Sequence, residues 1–90
     1  MATQQKNIVG PQVRRLRVAA GLSQEALASR LQIAGWDLSR AGLSKIEAGL
    51  RLVIDAEVVV LARVLGVALD ELVPKRTRGL GAVLRHGRSA

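Results

Sequence analysis

The stretch Leu38-Ser-Arg-Ala-Gly-Leu-Ser-Lys-Ile-Glu-Ala-Gly49 reads as one short helix that carries its own start and stop. Ser39 is placed to cap the first turn through its hydroxyl. Gly49 is placed to take the left-handed conformation that closes the last turn. At roughly 100° per residue two faces separate between them. Leu43, Ile46 and, just beyond, Leu50 gather on an apolar side, and Arg40, Ala41, Ser44, Lys45 and Ala48 gather opposite. That outer face is small, polar and cationic, with no carboxylate on it. Such periodicity is common among ordinary solvated surface helices. A face with short side chains and two long donors also fits a DNA major groove, where it reaches base edges and phosphates.

The remainder of the chain favours a small helical bundle. Ninety residues suit one domain. The apolar residues, 49% of the chain, are almost all aliphatic, with Trp36 the one aromatic. Ala, Leu and Val dominate and turn clusters are few before the tail, which points to an all-α fold. With no cysteine and a single histidine, His86, the sequence offers no disulfide, metal set or cofactor site, and no small-molecule site is evident. No apolar run approaches a membrane span and the polar start, Met1 to Asn7, is unlike a signal peptide, so a cytoplasmic protein is expected.

The net charge is +7, unevenly spread. Residues 10–73 hold eight Lys and Arg against all seven acids, whereas the tail from Lys75 adds five bases and no acid. This excess favours a polyanionic partner, nucleic acid above all. A membrane surface fits less well, because the tail is poor in bulky apolar residues. A basic tail that only aids solubility is the plainer reading.

In chain order, residues 1–9 lack a period and predict a flexible arm. Gly10-Pro11 opens a first helix, with a permissive cap and proline at the first helical position. Val13, Leu16 and Ala20 share its inner side, and Gly21 ends it. Ser23 caps a second helix with Leu27, Ala28 and Leu31 inward, running as far as Ile33-Ala34 before Gly35. Trp36, Asp37 and Leu38 bridge to the helix already described, Trp36 as a hydrophobic plug, the commoner role of a lone tryptophan, or as a stacking surface for a base. Asp55 caps a fourth helix, in which Val58, Leu61, Ala62 and Leu65 repeat at helical spacing. The run Val58-Val59-Val60 favours a strand by propensity, but the cap and the Gly66 stop decide for helix. Val59, Val60 and Val64 cannot all join that stripe, which leaves some for a partner. A short fifth helix, Leu69 to Val73, ends at Pro74. In the basic tail of residues 74–90, Leu80, Val83 and Leu84 make at most one amphipathic turn, marginal in isolation.

Two consecutive helices with a short connection, the second bearing a basic outer face, follow the helix-turn-helix plan. Three blocks go further: Arg17-Val-Ala-Ala-Gly21-Leu22-Ser23-Gln24-Glu25-Ala26-Leu27-Ala28, Leu43-Ser-Lys-Ile46-Glu47-Ala-Gly49, and Leu61-Ala62-Arg-Val-Leu65-Gly66-Val67-Ala-Leu69-Asp70-Glu71-Leu72. Together these resemble the phage-repressor/Cro, or XRE, family over residues 10–73. The resemblance implies a five-helix DNA-binding domain that controls transcription, usually as a dimer on double-stranded DNA. It implies a phosphate contact from Gln24, base readout from Arg40, Ala41, Ser44 and Lys45, and backbone contact from Arg51, to which Arg14 is added on charge. It also implies an internal ion pair, Arg17 with Glu47. The residues support that pair independently, because Glu47 turns toward the inner side of its helix, where a lone carboxylate is costly.

Three departures stand out. The connection from Leu31 to Ser39 is about five residues longer than the tight family turn, which suggests an extended second helix. Gly42 lies inside the reading helix at a cost of roughly 1 kcal/mol relative to Ala. Ala68 replaces a capping hydroxyl, so the fifth helix should fray. The expected function is a sequence-specific DNA-binding regulator that represses by occupying an operator. The alternative is an antitoxin or complex subunit whose spare valines bind a protein and whose DNA contact is secondary. No catalytic set of carboxylates, nucleophile and base, or metal ligands is present, so an enzyme is not expected.

Overall fold

The computed structural model describes residues 5–76 and 80–88, and every regular element among them is helical. Four helices make the body: α1 (Gly10–Ala19), α2 (Gln24–Ile33), α3 (Arg40–Glu47) and α4 (Asp55–Leu65). A single 3₁₀ turn follows at Leu69–Glu71, and a last helix, α5, spans Gly81–Arg88. The core forms where the inner stripes meet. Val13, Leu27, Leu31, Leu43, Ile46, Leu61 and Leu72 are wholly buried there, with Ala28 and Ala62 filling the narrower gaps. The first three inward positions expected for α2, Leu27, Ala28 and Leu31, are all in that cluster.

Local chemistry sets the helix ends. Ser23 accepts from Ala26 N and Ser39 from Gly42 N, each at 3.0 Å, so both expected serine caps form. Gly49 and Gly66 take φ of +77° and +71°, the left-handed closure that a side chain opposes. The start of α4 differs from expectation. Ile54, not Asp55, is its N-cap, and the Glu57 carboxylate accepts from Ile54 N at 3.1 Å. Asp55 lies inside the first turn and accepts from Ala56 N.

Four further points concern packing. The helix expected at 69–73 is only the 3₁₀ turn, because Ala68 has no side-chain acceptor and Glu71 supplies just a long 3.3 Å bond to Ala68 N. The tail instead forms α5, and Leu80 and Val83 line an apolar cavity with Ile8, Val9, Val53 and Val58. That burial supports a helix too short to persist alone. Val60 and Val64 pack half-buried against the core, which leaves Val59 as the spare valine of the three. And α2 runs to Ile33 with Ala34 as its cap, as the sequence suggested, and the remainder of the long connection is an ordered plug. Trp36 N bonds to Leu31 O, the Gln32 amide bonds to Leu38 O at 2.8 Å, and Leu38 is buried, while Trp36 is only partly so.

The arm also differs from its expected looseness. Residues 1–4 lie outside the described residues, but Asn7 and Val9 are buried and Lys6 N bonds to Gly49 O at 2.7 Å. Of the tail, residues 77–79 and 89–90 lie outside the described residues.

Candidate nucleic-acid interface

Helix α3 sits in the body by Leu43 and Ile46 and is oriented by one buried carboxylate. Glu47 accepts from Arg17 twice, Nε to Oε2 at 2.7 Å and Nη2 to Oε1 at 3.0 Å. The third guanidinium nitrogen, Nη1, donates to Leu22 O at 2.7 Å. One arginine at the end of α1 therefore holds both the α1–α2 turn and the end of α3. Its hydrogen bonds to Glu47 raise the Arg17 pKa above the ordinary value, outweighing the burial that lowers it. The bidentate geometry gives direction as well as attraction.

The same carboxylate reaches the surface through Gln24. The Gln24 amide donates to Glu47 Oε1 at 3.0 Å, and its own oxygen receives Arg40 Nη1 at 3.4 Å. Gln24 is thus held with its carbonyl toward Arg40, and its second amide proton is free of that bond. Ion pair, Gln24 and Arg40 form one connected chain from core to surface.

With its inner side so fixed, α3 presents Arg40, Ala41, Lys45 and Ala48 to solvent, and Ser44 is half-buried among them. Lys45, Ala41 and Arg51 line one open concavity, whose wall continues through Lys6, Leu50 and Leu52. The expected inward Leu50 is 52% exposed, because the Gly49 turn swings the chain away from the core. Arg14 lies elsewhere: it is exposed, in a separate concavity with Arg15, Val18 and Glu47.

Arg51 is preset. Its guanidinium lies 5.9 Å from the Trp36 ring centre and 3.8 Å from the Glu57 carboxylate. A Cβ at Gly42 would meet Arg51 Nη1 and the Leu38 side chain, so the glycine inside α3 leaves room for both. Trp36 is therefore a platform beneath a cation as well as packing.

Asn7 and Lys6 are the residues that local pattern did not single out. The Asn7 amide donates to Ile46 O at 3.1 Å and Arg51 O at 2.8 Å, and its oxygen accepts from Gly10 N at 2.8 Å. One side chain thereby ties the first segment to the end of α3, the loop behind it and the start of α1. The one available signal was an asparagine three residues before Gly10-Pro11, a spacing at which its oxygen can satisfy an orphan helical N–H. Next to it, Lys6 is carried to the rim of the α3 concavity.

Among the described residues no group of three His, Cys, Asp or Glu could hold a metal ion, and no helix is long and apolar enough to cross a membrane. The family model of a helix-turn-helix domain matches residues 8–74. No curated protein and no solved structure matches the chain.

Proposed function

The chain belongs to the helix-turn-helix domain family, and on that premise we propose that it is a sequence-specific transcription regulator that represses by occupying operator DNA. The observation that carries this reading is the orientation of α3. Its inner side is locked by the buried Arg17–Glu47 pair, and the opposite side offers Arg40, Ala41, Ser44 and Lys45 with no acid among them. Arg40 and Lys45 suit acceptors on guanine edges, while Ala41 and Ser44 let the helix sit deep in the groove. Gln24 and the preset Arg51 serve as phosphate contacts that fix register, with Arg14 a more distant one.

Four of the seven acids serve the fold. Glu47 is committed to Arg17, and Glu57, Asp55 and Glu71 each accept from a backbone N–H at a helix start. The subunit reading, in which spare valines bind a protein, rests on Val59, since Val60 and Val64 pack against the core. The protein acts in the cytoplasm, as a homodimer at least when on DNA. Selection of bound duplexes from a random pool tests this: an enriched inverted repeat is expected, whereas no enriched sequence would contradict it.

A further inference from the structure

The loop after α3 carries two exposed leucines, of which Leu50 has no apolar partner that the fold explains. Leu50 and Leu52 are 52% and 58% exposed on either side of Arg51. Both line the concavity shared by Ala41, Lys45, Arg51 and Lys6. Leu52 also borders the apolar cavity beneath α5, whereas Leu50 lines only the cationic concavity, where an apolar side chain in water beside three cations gains nothing from the isolated molecule. Leu50 gains from a partner whose surface alternates negative charge with small apolar groups at close spacing. The DNA major groove has that composition, since phosphates flank it and each thymine projects a C5 methyl into it.

We infer that Leu50, with Leu52 beside it, is a specificity residue that packs on thymine methyl groups at the edge of the site read by α3. This rests on the proposed DNA-reading function. The geometry supports it in three ways. Gly49, at φ +77°, directs Leu50 away from the core and onto the same concavity as the outer face of α3. The Asn7 bond to Arg51 O fixes the backbone between the two leucines. Lys6, held by its bond to Gly49 O, adds a cation on the rim, where a phosphate would lie. The contacted base pairs are then A·T pairs just outside those met by Arg40 and Lys45.

The test uses the full chain and duplexes recovered from a random-sequence pool, resynthesised with deoxyuridine in place of each thymine in turn. Deoxyuridine keeps every hydrogen-bonding group and removes only the methyl. The wild-type chain is expected to lose about fourfold in affinity for each contacted methyl removed, the equivalent of one buried methyl-sized group. Leu50→Ala is expected to bind thymine and uracil duplexes equally at those positions, because the pair couples only when both groups are present. Uracil duplexes bound as tightly as thymine duplexes by the wild-type chain would overturn the inference while leaving α3 readout intact. A Leu50→Ala chain that retains the thymine preference would overturn it as well. No enriched sequence in the pool would remove the DNA-reading function and this inference with it.

Discussion

Arg17 and Glu47, thirty residues apart, meet at 2.7 Å with side chains only 11% and 3% exposed, and this pair sets how α3 faces outward. Removing one member leaves the other charge buried and unpaired. When burial is complete that costs about 3–5 kcal/mol, and the solvent edge of this pair places Arg17→Ala and Glu47→Ala near the lower bound. The double variant is expected to cost clearly less than the sum of the two. Urea unfolding of all three measures this, and additive losses would mean the residues do not support one another.

Asn7 gives a second, independent test of the α3 support. Asn7→Ala strands the Arg51 carbonyl and the Gly10 N–H and takes one of two donors from Ile46 O, which keeps Gly49 N, so about 2–3 kcal/mol of stability should be lost, within the usual cost of unsatisfied buried groups. Asn7→Asp keeps the acceptor for Gly10 N but sets a carboxylate oxygen against the Ile46 and Arg51 carbonyls. Its folded pKa is then raised above the unfolded value. Stability of that variant is therefore highest below the unfolded carboxyl pKa and falls as pH rises through the folded one. Denaturant midpoints between acid and neutral pH check the sign, and a midpoint unchanged from the parent chain would refute the three-way tie.

Two glycines, Gly10 packed against α3 and Gly42 within it, should respond unequally to alanine. A Cβ at Gly10 would overlap the main-chain oxygen of Ile46, which cannot yield without parting α1 from α3. The neighbours of a Cβ at Gly42 are the ends of the Leu38 and Arg51 side chains, which can turn aside. Gly10→Ala is expected to lose about 1–3 kcal/mol by overpacking. Gly42→Ala should be near neutral, since a helix-propensity gain of about 1 kcal/mol offsets the crowding. Thermal unfolding separates them, because 1 kcal/mol shifts the midpoint by about 4–8 °C in a domain this small. Equal shifts would contradict the close approach of α1 to α3.

Much of this fold was legible in local pattern. Ser23 and Ser39 announce their caps, and Leu27, Leu31, Leu43 and Ile46 announce the inner face by their spacing. Arg17 with Glu47 was legible for a further reason, since a carboxylate near the apolar stripe demands a partner. Asn7 was not legible, because its two carbonyl partners lie 39 and 44 positions along the chain. Leu38 carries no local sign of its burial beside the larger Trp36, although the smaller side chain takes the buried place. The tail helix escaped because its support comes from Ile8, Val53 and Val58, distant in sequence. For the site, the outer face of α3 could be read from periodicity. That Gln24 is held by Glu47 and Arg51 rests on Trp36 depends on how separate helices meet, which no local spacing encodes.

In the proposed function, helix α3 reads sequence and does not merely supply charge. Arg40→Ala, Lys45→Ala and Arg51→Ala each remove one positive charge, so affinity on a selected duplex and on an unrelated one separates the two. Arg40→Ala and Lys45→Ala are expected to lose about 1–3 kcal/mol on the selected duplex and much less on the unrelated one, where phosphate attraction dominates. Arg51→Ala should weaken both duplexes to a similar degree, as loss of a phosphate contact does. Equal losses on both duplexes for all three variants would contradict sequence reading by α3 and leave a generic cationic surface.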